Sequence, residues 1–182
     1  LTGLSIISRI PSDRFHDGRA TAIDFTNHDH FALDGQRLIY YSYSYGTETE
    51  YRTENNSFAK ILANGKSTNP TSFTVYTKSG LIYDYVTVSK ALGKAETDST
   101  LFWLVSKVSD TKGNYFTITY GGDASTNDFY PSRIDYTGNA TAGLSPYASI
   151  RFSYISNPYS PVTYVNGARA VSYTHLRAHE TL

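Results

Sequence analysis

The sequence predicts an all-β fold of serial antiparallel hairpins that form part of a large twisted sheet. Three observations predict it. Tyr and Phe number 17 and 9 among 182 residues while Met is absent, a balance that favours strands over helices. Short polar turns containing Gly recur between apolar runs. The stretch Leu101–Tyr120, LFWLVSKVSDTKGNYFTITY, places such a turn between two alternating arms.

In that central hairpin, Phe102, Leu104 and Val108 alternate with more polar neighbours on one arm. Phe116, Ile118 and Tyr120 alternate with Thr117 and Thr119 on the other. Asp110 opens the turn, where its carboxylate can accept a bond from the backbone two residues on. Gly113 closes it in the left-handed conformation that a Cβ resists. One face of the hairpin is apolar and requires a cover. The device recurs loosely at Thr77–Gly80, and Arg133–Asn139 again sets Gly beside Asn after a Tyr-bearing strand.

Taken in order, Leu1–Ile10 is a weakly alternating strand stopped by Pro11, and Asp13–Gly18 a polar loop. In HFALDGQRLIYY, Asp34 and Gly35 between apolar arms predict a type I′ hairpin, which needs positive φ at both central residues. Tyr40–Tyr45 alternates Tyr with Ser, and Glu48–Glu54 is acidic around Tyr51 and Arg52; together they predict two strands across a turn. Phe58–Leu62 is a short apolar run ended by a turn at Asn64 and Gly65. The strands FTVYT and LIYDYVTV follow. Ser89–Thr100 has helix-forming composition, but Gly93 interrupts it and no apolar stripe runs along it, so it is expected to be a connection. Beyond the central hairpin, Gly121–Asn127 is expected as a loop. FYPSRIDYT and YASIRFSYI are strands separated by Gly138–Pro146, and TYV closes the β pattern.

Composition excludes several classes. Lys plus Arg equals Asp plus Glu at 16 each, so no electrostatic footprint for nucleic acid is present. Without Cys there is neither a disulfide nor a thiolate metal site, a state compatible with export as well as with the cytosol. No stretch approaches the roughly 20 apolar residues of a spanning helix. The start at Leu1, lacking a leader or initiator Met, is expected to lie within a longer protein.

Chemical constellations are sparse. Asp24, His28, Asp29 and His30 offer a set of zinc or calcium ligands, against the plainer reading of solvated loop groups. Glu48, Glu50 and Glu54 offer a glycosidase carboxylate pair, which must stand about 5–10 Å apart; an acidic edge that discourages strand pairing is the plainer alternative. Tyr41, Tyr43 and Tyr45 form a stripe that can stack sugar rings or pack against a neighbouring strand. No nucleophile elbow and no phosphate-cradling Gly loop occur.

Six segments, GLSIISRIP, HFALDGQRLI, YGTETEYRTE, FTVYTKSGLIYDY, WLVSKVSDTKGNYFTITY and YPSRIDYTGN, together resemble the SpvB-type domain of toxin-complex B subunits and related RHS, or YD-repeat, proteins. The resemblance spans most of residues 3–155, and the order and spacing of the motifs carry it. It implies a non-enzymatic segment, without cofactor, of a hollow shell that encloses a C-terminal toxin, in a protein secreted by a bacterium or held on its surface. Its implied partners are the remaining shell strands of the parent chain, the toxin cargo and a translocating subunit. By the same resemblance Asp34, Gly35, Asp110, Gly113, Asn114, Gly138 and Asn139 set strand register. Trp103, Tyr115, Phe116 and Tyr136 pack the wall or face the lumen. Val86 stands where relatives often have Gly, and no propeller calcium motif or self-cleavage motif is visible. A carbohydrate-binding β-sandwich module is the alternative that Tyr content and β character leave open.

Val171–Thr181, VSYTHLRAHET, departs abruptly from this pattern and matches, codon by codon, one reading frame of a transposase sequencing adapter. The expected organisation is therefore a truncated SpvB-type domain over residues 1–170. Residues 171–182 are then a non-native tail from a metagenomic read, in which the spacing of His175 and His179 has no metal-binding meaning.

Overall fold

A computed structural model gives the fold, describing residues 4–43, 48–90, 100–123, 128–154, 162–165 and 168–171. One antiparallel meander contains β1 (Ile6–Ile10), β2 (His30–Leu33), β3 (Gln36–Tyr43), β4 (Glu48–Thr53), β5 (Lys60–Lys66), β6 (Asn69–Tyr76), β7 (Ile82–Lys90), β8 (Thr100–Ser109), β9 (Asn114–Asp123), β10 (Asp128–Asn139) and β11 (Ala148–Arg151). A single helical turn, α1 (Arg14–Asp17), lies between β1 and β2. A separate hairpin pairs β12 (Val162–Val165) with β13 (Ala168–Val171).

The meander closes on itself. β1 pairs with β2 on one side and with β8 on the other, through Ile6↔Leu104, Ile7↔Trp103 and Ser8↔Phe102. Strands β1–β8 thus form an eight-stranded barrel. β8 is the pivot, because one of its edges is shared: Phe102–Leu104 holds β1, whereas Lys107–Ser109 holds β9. From there β9, β10 and β11 continue as a sheet beyond the barrel. Val105 lies at this fork, and its carbonyl accepts a 2.8 Å bond from the Tyr120 hydroxyl. Burial pushes the Tyr120 phenol up to about 12.

The turn chemistry follows the sequence closely. Asp34 (φ 49°) and Gly35 (φ 83°) make the expected type I′ turn between the paired Leu33 and Gln36. Asp34 also ties this turn to β1, accepting from the Ile6 amide at 2.8 Å and the Ser5 hydroxyl at 2.6 Å. Thr77–Gly80 and Asp110–Gly113 are built alike. In each, Gly at φ 86° donates back to the first residue's carbonyl, and that residue's side-chain oxygen accepts from the residue after Gly.

Trp103 is fully buried at the centre of the core, edge-on to Phe73 at 5.0 Å and Phe31 at 5.3 Å. Its indole N–H donates to the Pro70 carbonyl at 2.9 Å. Around it stand Ile7, Leu38, Tyr51, Ile61, Val75, Tyr85 and Val105. The apolar face that the central hairpin exposes is covered by the barrel it helps to build.

Several expectations are corrected. Leu101, Trp103 and Val105 are buried in β8, while Phe102 and Leu104 are half-buried on alternate positions. A register shift between Asp84 and Tyr85 brings Val108 back to the inside. The acidic strand is no edge, since β4 pairs with β3 and β5. Gly65 marks a bulge inside β5, and the turn falls two residues later. Asp13–Gly18 contains α1, with Asp13 accepting from the Phe15 and His16 amides and Gly18 closing it at φ 71°. β9 extends to Asp123, into the expected loop. Residues 91–99 of the expected connection lie outside the described residues, as do residues 172–182.

Candidate functional site

Four of the residues expected to set register, Asp110, Gly113, Asn114 and Asn139, converge at the tip of the β8–β9 hairpin. The Asp110 carboxylate accepts from the Lys112 and Asn114 amides at 2.8 and 2.9 Å and from the Asn114 side chain at 2.8 Å. These bonds to the charged form hold it below the usual carboxylate range. The Asn139 amide group donates to the Asn114 side-chain oxygen at 2.8 Å, and its own oxygen accepts from the Ala142 amide. The Ala140 amide meets the Gly113 carbonyl at 2.8 Å. Two consecutive hairpins are thereby joined at their tips.

Gly138 is inside β10 rather than in a turn, opposite Tyr115. The Tyr115 ring lies so close that a Cβ on Gly138 would come 2.5 Å from it. Gly121 and Tyr130 repeat the arrangement at the other end of the same strand pair, at 2.9 Å. Both sites pack an aromatic ring onto bare backbone. At the Gly138–Tyr115 site, Leu81, Val108, Phe116, Tyr136 and Asp110 line an open groove of about 400 Å³. Of the aromatics assigned to the wall, Trp103 is inside the barrel, Tyr115 and Phe116 are half-buried in the extension, and Tyr136 is exposed.

The opposite end of β1 holds a buried ion pair. Arg9 and Asp29 are closed from solvent and 3.2 Å apart. Arg9 also donates to the Thr100 and Thr68 carbonyls, each at 2.9 Å, and its guanidinium faces the rings of Phe25 and Phe31. Asp29 accepts from the Asp24 and Phe25 amides. Desolvation pulls the Arg9 pKa down against the attraction of Asp29. The pair links β1, the β1–β2 segment, the β5–β6 turn and the start of β8. Its one sequence signal is a charge at an inward position of IISRI, two residues after Ile7.

The proposed metal ligands do not form one cluster. Asp29 turns to Arg9, His30 to Asp17 at 3.1 Å, and His28 to Asp24 at 3.3 Å. Among the described residues no group of three or more His, Cys, Asp or Glu is placed to hold a metal ion. Glu50 pairs with Arg52 and stands 3.8 Å from Lys60, whereas Glu54 contacts His16. Tyr41 stacks under Arg52 of the adjacent strand at 4.9 Å, as strand packing predicts. The Tyr43 side chain and Tyr45 lie outside the described residues.

No family model matches the chain, and no curated protein matches its sequence. Solved structures do match. The N-terminal domain of effector protein SpvB from Salmonella typhimurium strain LT2 matches over 96% of this chain and 74% of its own, with TM-score 0.71 at 15% identity. This chain has the fold of the SpvB N-terminal domain. A Photorhabdus luminescens Tc holotoxin pore structure matches at TM-score 0.62 and 14% identity, and TcdB2-TccC3 at 0.62 and 15%. In both cases 92% of this chain is covered but 10% of the other, so the SpvB-type fold spans about a tenth of those toxin-complex chains.

Proposed function

We propose that the chain is a non-enzymatic wall segment of an RHS- or toxin-complex-like shell that encloses a C-terminal toxin. The shared fold with the SpvB N-terminal domain and with part of the toxin-complex chains carries this reading. The architecture supports it. A barrel closed around Trp103 supplies a rigid block, and β9–β11 lead the sheet out of it toward strands contributed by the rest of the parent chain. Of the carboxylates that the sequence offered for chemistry, Asp29, Glu50 and Glu54 are engaged in ion pairs with Arg9, Arg52 and His16. Toxin cargo and a translocating subunit are the partners that this role requires, in a protein secreted by a bacterium or held on its surface. No described helix is long and apolar enough to cross a membrane.

Long-read sequencing of the source locus tests the proposal. Tandem YD repeats in frame downstream support a shell protein and locate its activity at the extreme C-terminus. A stop codon or a glycosidase domain shortly after Ala170 overturns it in favour of a sugar-binding module.

A further inference from the structure

The β1–β2 connection, residues 11–29, is held to the barrel by ionic contacts concentrated at α1. Asp13 and Asp17 grip the Arg37 guanidinium of β3 at 2.9 and 2.7 Å. His16 lies between two carboxylates: Nδ1 is 2.6 Å from Asp13 Oδ2 and Nε2 is 2.6 Å from Glu54 Oε1. A neutral imidazole has one N–H and would turn a lone pair toward one of these oxygens. Only imidazolium donates to both.

We propose that α1 is a protonation-dependent clasp, in which His16 as imidazolium straps the β1–β2 connection to the end of β4 and releases Glu54 when it loses its proton. The charged and titratable groups around His16 are Asp13, Arg14 and Asp17 on its own turn, Arg37 on β3, His30 on β2 and Glu54 beyond β4. The carboxylates and arginines keep their charges from about pH 6 to 9. His16 is thus the group that changes there. Its two carboxylate partners, Glu54 first, raise its pKa above the ordinary histidine value. The strap is therefore complete below that ordinary value and is lost as pH rises through the raised one. His30 moves oppositely, because desolvation and Arg37 lower its pKa, so it loses its proton at lower pH than His16 does. The Arg37 contacts do not titrate in this window, so α1 loosens without leaving the barrel.

Ring-proton NMR of His16 in the full chain, combined with amide exchange of Phe15–Asp17 corrected for its intrinsic pH dependence, tests the clasp. The wild-type midpoint should lie above about 6.5, and Glu54→Gln should lower it. Exchange should accelerate several-fold across the wild-type midpoint and stay flat in His16→Gln. A midpoint at or below the ordinary value, or wild-type exchange that is indifferent to it, overturns the proposal. Glu54 is exposed, so its variant tests the strap without disturbing the core.

Discussion

Trp103→Ala should strip the barrel of its keystone. Trp103 is fully buried, meets Phe31 and Phe73 edge-on, and satisfies the Pro70 carbonyl. Truncating a buried aromatic to Ala costs about 3–5 kcal/mol, lost edge-to-face contacts included. The orphaned carbonyl adds about 1 kcal/mol or more unless water reaches it. A total near 4–6 kcal/mol is a large share of the roughly 5–15 kcal/mol that holds a domain together. At about 2–4 °C per kcal/mol for a chain of this size, Tm should fall by about 8–24 °C. Trp103→Phe separates the two terms, since it keeps a ring and removes the N–H; a loss of about 1–3 kcal/mol is expected. Thermal melts followed by far- and near-UV circular dichroism measure both variants. The wild-type melt can also be followed by the fluorescence of this single Trp. A Tm for Trp103→Ala within about 2 °C of wild type would refute a barrel closed around this residue.

Three further outcomes are expected. Asp29→Ala strands the buried Arg9 charge and should cost about 3–5 kcal/mol in urea unfolding, whereas pairing Arg9→Met with Asp29→Leu should recover much of it. Gly138→Val drives a side chain into the Tyr115 ring; about 1–3 kcal/mol should be lost, with proteolysis quickening in β9–β11 before the barrel. Stability against pH should fall on both sides of a maximum near the ordinary histidine value, about 6.5. His16, with its raised pKa, withdraws stability as pH rises through it, and His30, with its lowered pKa, withdraws it as pH falls through the ordinary value. Asp13, Asp17, Asp24 and Asp110 have depressed values, with Asp24 at about 2. Their contribution is present above about pH 4 and is lost progressively as pH falls toward about 2. Tm measured from pH 2 to 9 checks both limbs.

The hairpins were legible because turn chemistry is local. Asp34–Gly35, Thr77–Gly80 and Asp110–Gly113 determine their own backbone within a few residues, and the structure has all three. Closure of the barrel was not, since Ile7↔Trp103 joins segments far apart in the chain and neither announces the other. The inner face of β8 was misread for a related reason. LFWLV is apolar at successive positions, so period-2 alternation cannot choose a face, and only the pairing with β1 and β7 does. Without closure the central hairpin appeared to need a cover from outside the chain. Arg9 illustrates the limit for sites. Its charge on an apolar face is visible in the sequence, but its partners come from separate segments that only the fold assembles.

Gly138 and Asn139 were legible together and turned out to act apart. Asn139 begins the Ala140–Gly143 turn and links it to the neighbouring hairpin, whereas Gly138 makes room for a ring. Local sequence contains the Gly-Asn pair but not the Tyr115 that faces it across the sheet.

Electron cryo-microscopy of the full parent protein tests the wall-segment account most directly. The account predicts a hollow particle in which residues 4–154 form part of the wall, with β1 closed on β8 and the edge of β11 that is unpaired among the described residues joined by a strand from elsewhere in the parent chain. A barrel tethered outside a compact particle, with β11 unpaired and no enclosed lumen, would contradict it.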